Sequence, residues 1–428
     1  MNRVKDKGFA ARLGPGLITG AADDDPSGIA TYSQAGAQFR FSLVWTLFLT
    51  LPLMIGIQML SARIGWVTQH GLATNIGKIC PRWLTVSLIG LLVTANTINI
   101  AADIAAMADA LRLLVGGFEP LYAIGFGALC IGTQLYFSYE STVRILKWLT
   151  LALFAYVAVI LVVRVPWHRA IVESMRPWDF FPSNVSTTVY ASTVVAVFGT
   201  TISPYLFFWQ ASQEAEDARR SGDTSELRLH PGYVAEHLSR IKQDTWFGMT
   251  FSNLIALCIV IATAVTLNEH GITDIQSSAQ AAEALRPVAG DFAFFIFALG
   301  IIGTGLLAVP VLAGSAAYAV SELFGWKSGL SQGFHDAKGF YLIIVAATGI
   351  GTGLSVLNID PIKALVWSAV VNGVISVPIM VVLMLIGQSE QLMGRYTISN
   401  RHRFFGWAAT IVMSIAVVVM LVTTFTPN

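Results

Sequence analysis

The chain is 428 residues long, 55% hydrophobic and only 12% charged, with a mean hydropathy of +0.66. A soluble globular domain carries roughly 25% charged residues, so this composition excludes one and points to an integral membrane protein. The net charge of +1 gives no support to a nucleic-acid partner, since no basic patch is dense enough to hold one.

About 11 apolar stretches approach the 20 or so residues needed to cross a bilayer, at approximately 13 to 36, 42 to 65, 84 to 115, 121 to 139, 145 to 165, 187 to 212, 243 to 266, 290 to 323, 340 to 357, 362 to 387 and 404 to 424. The first follows a charged N-terminus, but it contains three aspartates and a helix break. It therefore reads as a span rather than a cleavable signal. The break is Asp25-Pro26-Ser27-Gly28; a second, Gly199-Thr200-Thr201-Ile202-Ser203-Pro204, interrupts the sixth stretch. Irregular backbone survives at membrane depth only where protein buries it or a cavity needs it. Two broken helices in corresponding positions of two halves mark a transporter's substrate site. Ten spans divide into two fives, each opening on a broken helix, which predicts an inverted repeat: residues 1–185, then 186–390, with 391–428 as an extra helix.

Between the sixth and seventh spans, Glu214 to Gln243 forms the longest polar stretch. It is too short for a domain and is expected to form an amphipathic surface helix. Cys80, Cys130 and Cys258 lack the spacing of a metal knuckle or redox pair and read as packing residues. With the N-terminus in the cytoplasm, roughly 19 of the Lys and Arg residues fall inside. They include Arg3, Lys5, Lys7 and Arg12 before the first span, and Arg219, Arg220, Arg228, Arg240 and Lys242 after the sixth. Arg164, Arg169 and Arg176 oppose this orientation and are outnumbered. A multi-pass protein of the cell membrane with a cytoplasmic N-terminus is expected.

Several segments together resemble the NRAMP family of divalent-metal transporters. Gly14-Pro15-Gly16, Asp25-Pro26-Ser27-Gly28-Ile29-Ala30-Thr31 and Gln34-Ala35-Gly36-Ala37 are similar to its first helix. Gly56 through Gly65 is similar to its second helix and Ala101-Ala102-Asp103-Ile104-Ala105 to its third. Asp360-Pro361-Ile362-Lys363-Ala364-Leu365-Val366, with Leu392-Met393-Gly394, is similar to the entry of its tenth helix and the loop beyond. The resemblance implies an all-α, leucine-transporter-like fold of two five-helix inverted repeats, alternating access, and a divalent cation carried as substrate with no cofactor. The family's Asp-Pro-Gly-Asn and Met-Pro-His motifs read here Asp25-Pro26-Ser27-Gly28 and Ser203-Pro204-Tyr205. Of the usual Asp, Asn and Met ligands, only the Asp is retained.

Residues at a helix break lose their intrahelical partners and present free carbonyl and N–H groups. A carboxylate among carbonyls makes a cation site, so Asp25 and the Thr200 carbonyl, which matches a family ligand, are the leading metal ligands. Ionisable groups at that depth are costly and usually functional. Asp23 and Asp24 point to different faces if the chain stays helical, leaving Asp24 a candidate ligand only where the backbone is unwound. Ser203 in place of Met hardens the site, because thioethers favour soft transition metals and oxygen donors suit Mg2+, Ca2+ and Mn2+. Gly28 in place of Asn is expected to leave space for an ion that keeps part of its water shell.

The resemblance would place His at Tyr205 and Gln210, an acid at Ala106 and Gln at Ala369. No histidine falls in the middle of a span, which leaves Asp103 as the candidate for a proton pathway. Gln34, Asn96, Asn99 and Thr201 read as interhelical hydrogen-bonding groups, and Asn372 as a further metal ligand. The glycines of the eighth span, Gly300, Gly303, Gly305 and Gly314, read as close helix contacts. The leading expectation is an importer of a hard divalent cation, Mg2+ or Mn2+, with weak or no proton coupling. The alternatives are a proton-coupled Mn2+ and Fe2+ importer and an organic-solute carrier on the same fold; the Asp23-Asp24-Asp25 cluster would repel a substrate carboxylate. No nucleophile with a paired base supports an enzyme.

Overall fold

A computed structural model of the protein describes residues 15–136, 149–177, 185–220, 231–357 and 360–426. Arg3, Lys5, Lys7, Arg12, Gly14, Arg228 and His230 lie outside the described residues, as do the end of the fourth expected span and the start of the fifth. The described residues are helical and contain no strand.

The first span is two helices, α1 (Pro15–Asp23) and α2 (Pro26–Phe39), separated at residues 24–25. The interruption is local chemistry. A residue before proline is driven from the helical region into extended backbone, and Asp25 has φ −71° and ψ 170°. Pro26 then starts α2 at the position where its missing N–H costs nothing, while the Asp25 side chain caps the helix by accepting from the Gly28 N–H. There follow α3 (Val44–Thr68), α4 (Leu72–Ile79), α5 (Arg82–Val115), α6 (Glu119–Tyr136), α7 (Phe154–Val162) and α8 (Trp167–Met175). The second broken span is α9 (Thr187–Thr201) and α10 (Pro204–Arg220), where Pro204 again restarts the helix. The remaining long helices are α11 (Pro231–Thr266), α12 (Ala293–Phe324), α13 (Lys338–Ser355), α14 (Pro361–Gln388) and α15 (Asn400–Phe425).

Among the described residues, eight helices are long and apolar enough to cross a membrane, or nine if the bent pair Leu151–Val162 and Trp167–Met175 is one span. This falls short of the eleven read from the sequence. The first span is split and carries aspartates, α6 is not among the eight, and the fifth turns by 110° at Val163–Pro166. Among its described residues, the polar stretch from Glu214 to Gln243 forms no separate surface helix. Its described parts are the ends of α10 and α11, and its buried acids meet partners: Glu214, fully buried, is 2.6 Å from Arg240. Glu216 accepts from Tyr318 at 2.6 Å and from the backbone of Leu330 and Ser331. On α12, Glu322 accepts from Ser212 at 3.2 Å and from the Thr74 N–H of α4.

The two broken spans occupy the middle of the molecule. The α1 and α2 halves pack on α11, α10 packs on α3, and α9 packs on α14, while α5, α12 and α14 close the other side. Within the most apolar window of Thr187–Arg220, 94% of residues are buried, against 33% for α15, so the interrupted span is a core element and the last helix a lipid-facing one. Close approach at the second break depends on Gly199, where a Cβ would run into the Ala369 carbonyl oxygen and lie 2.8 Å from Gly373 Cα. The eighth-span glycines divide: Gly305 lies against Met107 and Gly314 against Trp209, while Gly300 makes ordinary contacts with Leu153 and Ala152.

Because backbone atoms rather than a flexible side chain block that Cβ, Gly199→Ala should destabilise the protein by about 1–3 kcal/mol, the usual cost of overpacking. Gly90, on α5, has nothing within 4 Å of the same position, and Gly90→Ala should be neutral or slightly stabilising. Thermal unfolding of both variants in the same detergent checks the contrast; equal melting temperatures would refute it.

Candidate metal centre

Asp25 stands where the two breaks meet. Its Oδ1 accepts from the Ser27 hydroxyl at 2.7 Å and the Gly28 N–H at 2.7 Å. Its Oδ2 accepts from the Asn99 amide of α5 at 3.1 Å and lies 3.4 Å from the Tyr205 hydroxyl of α10. Tyr205 also donates to the Ala22 carbonyl at 3.0 Å, which ties the freed end of α1 to α10. The side chain of Asn99 is in turn oriented by Ser368 of α14, 2.7 Å from its Oδ1. One carboxylate thus gathers groups from α2, α5, α10 and, through Asn99, α14.

At the second break, the Ser203 hydroxyl is 2.8 Å from both the Gly199 and the Thr200 carbonyl oxygens. It supplies the donor that the interrupted helix lacks, and its lone pairs remain available as acceptors. Gly28 does not leave open space: a Cβ there would stand 3.1 Å from the Thr200 hydroxyl, 3.3 Å from Tyr32 and 3.4 Å from the Asp23 carbonyl. The room made by the missing Asn side chain is filled by groups that approach the bare backbone.

Asp23 and Asp24 both turn to α11. The single hydroxyl of Ser252 is 2.6 Å from Asp23 Oδ2 and 3.0 Å from Asp24 Oδ1. A hydroxyl has one proton to donate and a carboxylate accepts only. Both contacts are therefore hydrogen bonds at once only when one of the two carboxyls carries a proton, and Asp23 Oδ1 is left buried without a partner. The unwound backbone at residues 24–25 lets all three aspartates stay inside the protein, at 0%, 2% and 1% exposure.

Asp103 lies one helical turn beyond Asn99 on α5, at the i+4 spacing that puts both on one face. It is buried, and neither carboxylate oxygen has a hydrogen-bond partner. Asn372, one turn beyond Ser368 on α14, is likewise buried with both amide atoms unpartnered. Asn96 does join helices, donating to the Leu312 carbonyl of α12 at 2.9 Å, whereas Gln34 accepts from the Ile275 N–H at 2.9 Å in the connection after α11 rather than from another helix. Thr201 bonds only within its own helix, and Gln210 bridges Gln58 and Thr245.

None of the ion pairs among the described residues involves Asp23, Asp24, Asp25 or Asp103. No group of three or more His, Cys, Asp or Glu side chains among the described residues converges tightly enough to hold a metal alone. Any cation taken here would be shared between Asp25 and neutral oxygen donors. Asn99, Ser27, Tyr205 and Ser252 were not among the ligand candidates of the sequence, although a hydroxyl or amide inside an apolar span is the signal each of them carried. The described histidines stand at helix ends, in connections or on α8, away from this centre.

Residues 16–423 match the family described as Natural resistance-associated macrophage protein-like. The chain is 23% identical over 425 residues to a protein of Caldanaerobacter subterraneus subsp. tengcongensis named divalent metal cation transporter MntH, an overlap of 94% of this chain and 90% of that protein. Its backbone is similar to the crystal structure of the Eremococcus coleocola manganese transporter in complex with an aromatic bis-isothiourea substituted compound. That likeness has a TM-score of 0.77 at 17% identity and covers 100% of this chain and 90% of the other. MhsT in complex with L-phenylalanine is similar with a TM-score of 0.61 at 11% identity, covering 98% of this chain and 100% of that one. These structural likenesses carry the fold, an all-α leucine-transporter-like arrangement.

Removing the Tyr205 hydroxyl leaves the buried Ala22 carbonyl unsatisfied, which costs about 1–3 kcal/mol. Tyr205→Phe should lower the melting temperature while keeping the ring's packing. An unchanged melt would mean that the hydroxyl does not tie α1 to α10.

Proposed function

The chain belongs to this NRAMP family of multi-pass membrane transporters, which carry divalent metal ions as substrate, hold no cofactor and are not enzymes, and from that premise we propose that it imports a hard divalent cation, Mg2+ or Mn2+, by alternating access with weak or absent proton coupling. The observation that carries this reading is the set of four buried carboxylates, without a basic partner among the described residues, at the junction of two broken helices. Buried anions need protons or cations to persist at membrane depth. Only Asp25 among them is surrounded by donors and acceptors from several helices, so the cation binds there. The Thr200 carbonyl, Ser203 and Asn372 complete the shell, with Asp24 as a more distant acid and Gly28 as the position that lets Thr200 approach.

Every atom offered is an oxygen or an amide, with no thioether, and such a donor set suits hard ions. The division into 1–185, 186–390 and 391–428 treats the two breaks as equivalent positions of an inverted repeat, and the excess of Lys and Arg supports a cytoplasmic N-terminus in the cell membrane. Asp103, whose oxygens have no hydrogen-bond partner, lacks the hydrogen-bonded relay that a proton pathway through it would use. One observation favours a second reading, proton-coupled Mn2+ and Fe2+ import: the Asp23–Ser252–Asp24 contact brings two carboxyls onto one hydroxyl, an arrangement suited to sharing a proton beside the site.

Proteoliposomes carrying a pH dye, under a clamped membrane potential and an imposed Mg2+ or Mn2+ gradient, separate the two. Metal entry without lumenal acidification is expected. Acidification that disappears in Asp103→Asn or Asp24→Asn would establish the proton-coupled reading instead. Asp25→Asn keeps an acceptor for the α2 cap and should retain the wild-type melt while uptake falls to that of empty liposomes; uptake near the wild-type rate would remove Asp25 from the site. Ser203→Met should raise uptake of Cd2+ relative to Mg2+ by about tenfold, equivalent to about 1.4 kcal/mol at one ligand. An unchanged ratio would show that Ser203 does not face the ion.

A further inference from the structure

Away from the broken helices, a cavity of about 260 Å³ opens between the last turns of α3, the first turns of α11 and the start of α15. Its polar groups are nearly all cationic or ionisable to cations: Arg63, Lys242 and His402 line it together with Ser239, and no acidic residue does. The rest of the wall is apolar, from Met59 and Leu60 on α3, Leu238 and Ile241 on α11, and Ile398 before α15. Arg63 gives one guanidinium N–H to the Thr397 carbonyl at 3.1 Å, while its Nε is buried without a partner. Neither Arg63 nor Lys242 is in any ion pair among the described residues.

Balanced surfaces are not built this way. Arg401, His402 and Arg403 occupy the first turn of α15 with no acid beside them, at the helix end where the backbone dipole disfavours cations. Directly after them come Phe404 and Phe405, 69% and 40% exposed, and then the lipid-facing body of the helix. Basic groups above, aromatic rings at the boundary and apolar surface below form the register of a membrane interface. A ligand matched to this cavity carries a negative charge at the height of Arg63 and Lys242 and hydrocarbon along Met59, Leu60 and Leu238.

We propose that this cavity is a binding site for the phosphate headgroup of an anionic phospholipid, with an acyl chain lying on its apolar wall. Basic pockets between transmembrane helices suit anionic headgroups, and each nearby Lys or Arg strengthens attraction to an anionic lipid surface. The occupant is a lipid rather than a free anion because half of the cavity wall offers nothing to a water-soluble ion. The site joins α3, which packs on α10, to α11, which packs on α1, so a lipid seated there bridges the partners of both broken spans.

The test uses the full chain purified in a neutral detergent, probed by native mass spectrometry with dioleoyl phosphatidylglycerol, dioleoyl phosphatidylcholine or inorganic phosphate. Retention of phosphatidylglycerol over phosphatidylcholine is expected, with the apparent affinity weakened about fivefold in Lys242→Gln, the effect of losing one interfacial cation. Lys242 is exposed and holds no ion pair among the described residues, so this variant folds even where Arg63→Gln, which also loses the Thr397 contact, does not. Lys327→Gln, at an exposed position outside the cavity, should retain lipid as the wild type does. Equal retention of the two lipids, an equal loss in Lys327→Gln, or no loss in Lys242→Gln would each overturn the proposal. Displacement of phosphatidylglycerol by millimolar inorganic phosphate would also overturn it and assign the cavity to free phosphate.

Discussion

Backbone that stops being helical inside a hydrocarbon layer has to find its hydrogen-bond partners within the protein, and the molecule is arranged around meeting that demand twice. At the first break the Asp25 carboxylate caps α2 and the Tyr205 hydroxyl takes the Ala22 carbonyl. At the second, the Ser203 hydroxyl serves carbonyls of the turn it interrupts. The first break is not sealed by its own helix alone, because Tyr205 belongs to the other broken span and Asn99 to α5. The need to satisfy loose backbone draws the elements together, and the polar centre that results gathers side chains from several helices around Asp25.

Electrostatics then sets what that centre tolerates. A carboxylate without a counter-ion is far more costly in a low-dielectric interior than a neutral one. Four such groups, with no basic partner among the described residues, give the centre a strong preference for positive charge, whether carried by a proton or by a metal. Asp23 and Asp24 converge on one hydroxyl and are suited to sharing a proton. Asp25 has two hydrogen-bond donors on one oxygen and, on the other, the Asn99 amide with the Tyr205 hydroxyl at 3.4 Å, which together fix its orientation. Neighbouring aspartates in one tripeptide are thus given different work by the direction in which the unwound chain turns them.

Proline, glycine and hydroxyl residues inside apolar runs are local signals, and they make both breaks and the position of Asp25 legible in the sequence itself. The partners of Asp25 are less legible because they are distant in sequence: Asn99 is 74 residues away and Tyr205 is 180. Tyr205 registers in the sequence mainly as the absence of a histidine, and only the fold shows its hydroxyl at work. Gly28 misleads in a different way, since a missing side chain implies room only if nothing else moves in, and Thr200 and Tyr32 do. The stretch from Glu214 to Gln243 reads as surface because it is charged. Charges that meet their partners at a helix end, as Glu214 meets Arg240, can be buried at tolerable cost, and hydropathy alone does not register that pairing.

The interrupted backbone at Gly199–Ser203 also bears on how such a centre changes over evolutionary time. A carbonyl oxygen is supplied by every residue type, so a donor drawn from the main chain survives any substitution that preserves the turn. A side-chain donor disappears with a single codon. A centre that rests partly on freed carbonyls can therefore lose a side-chain donor and keep its main-chain ones, provided that the glycine and proline that hold the turn open are kept.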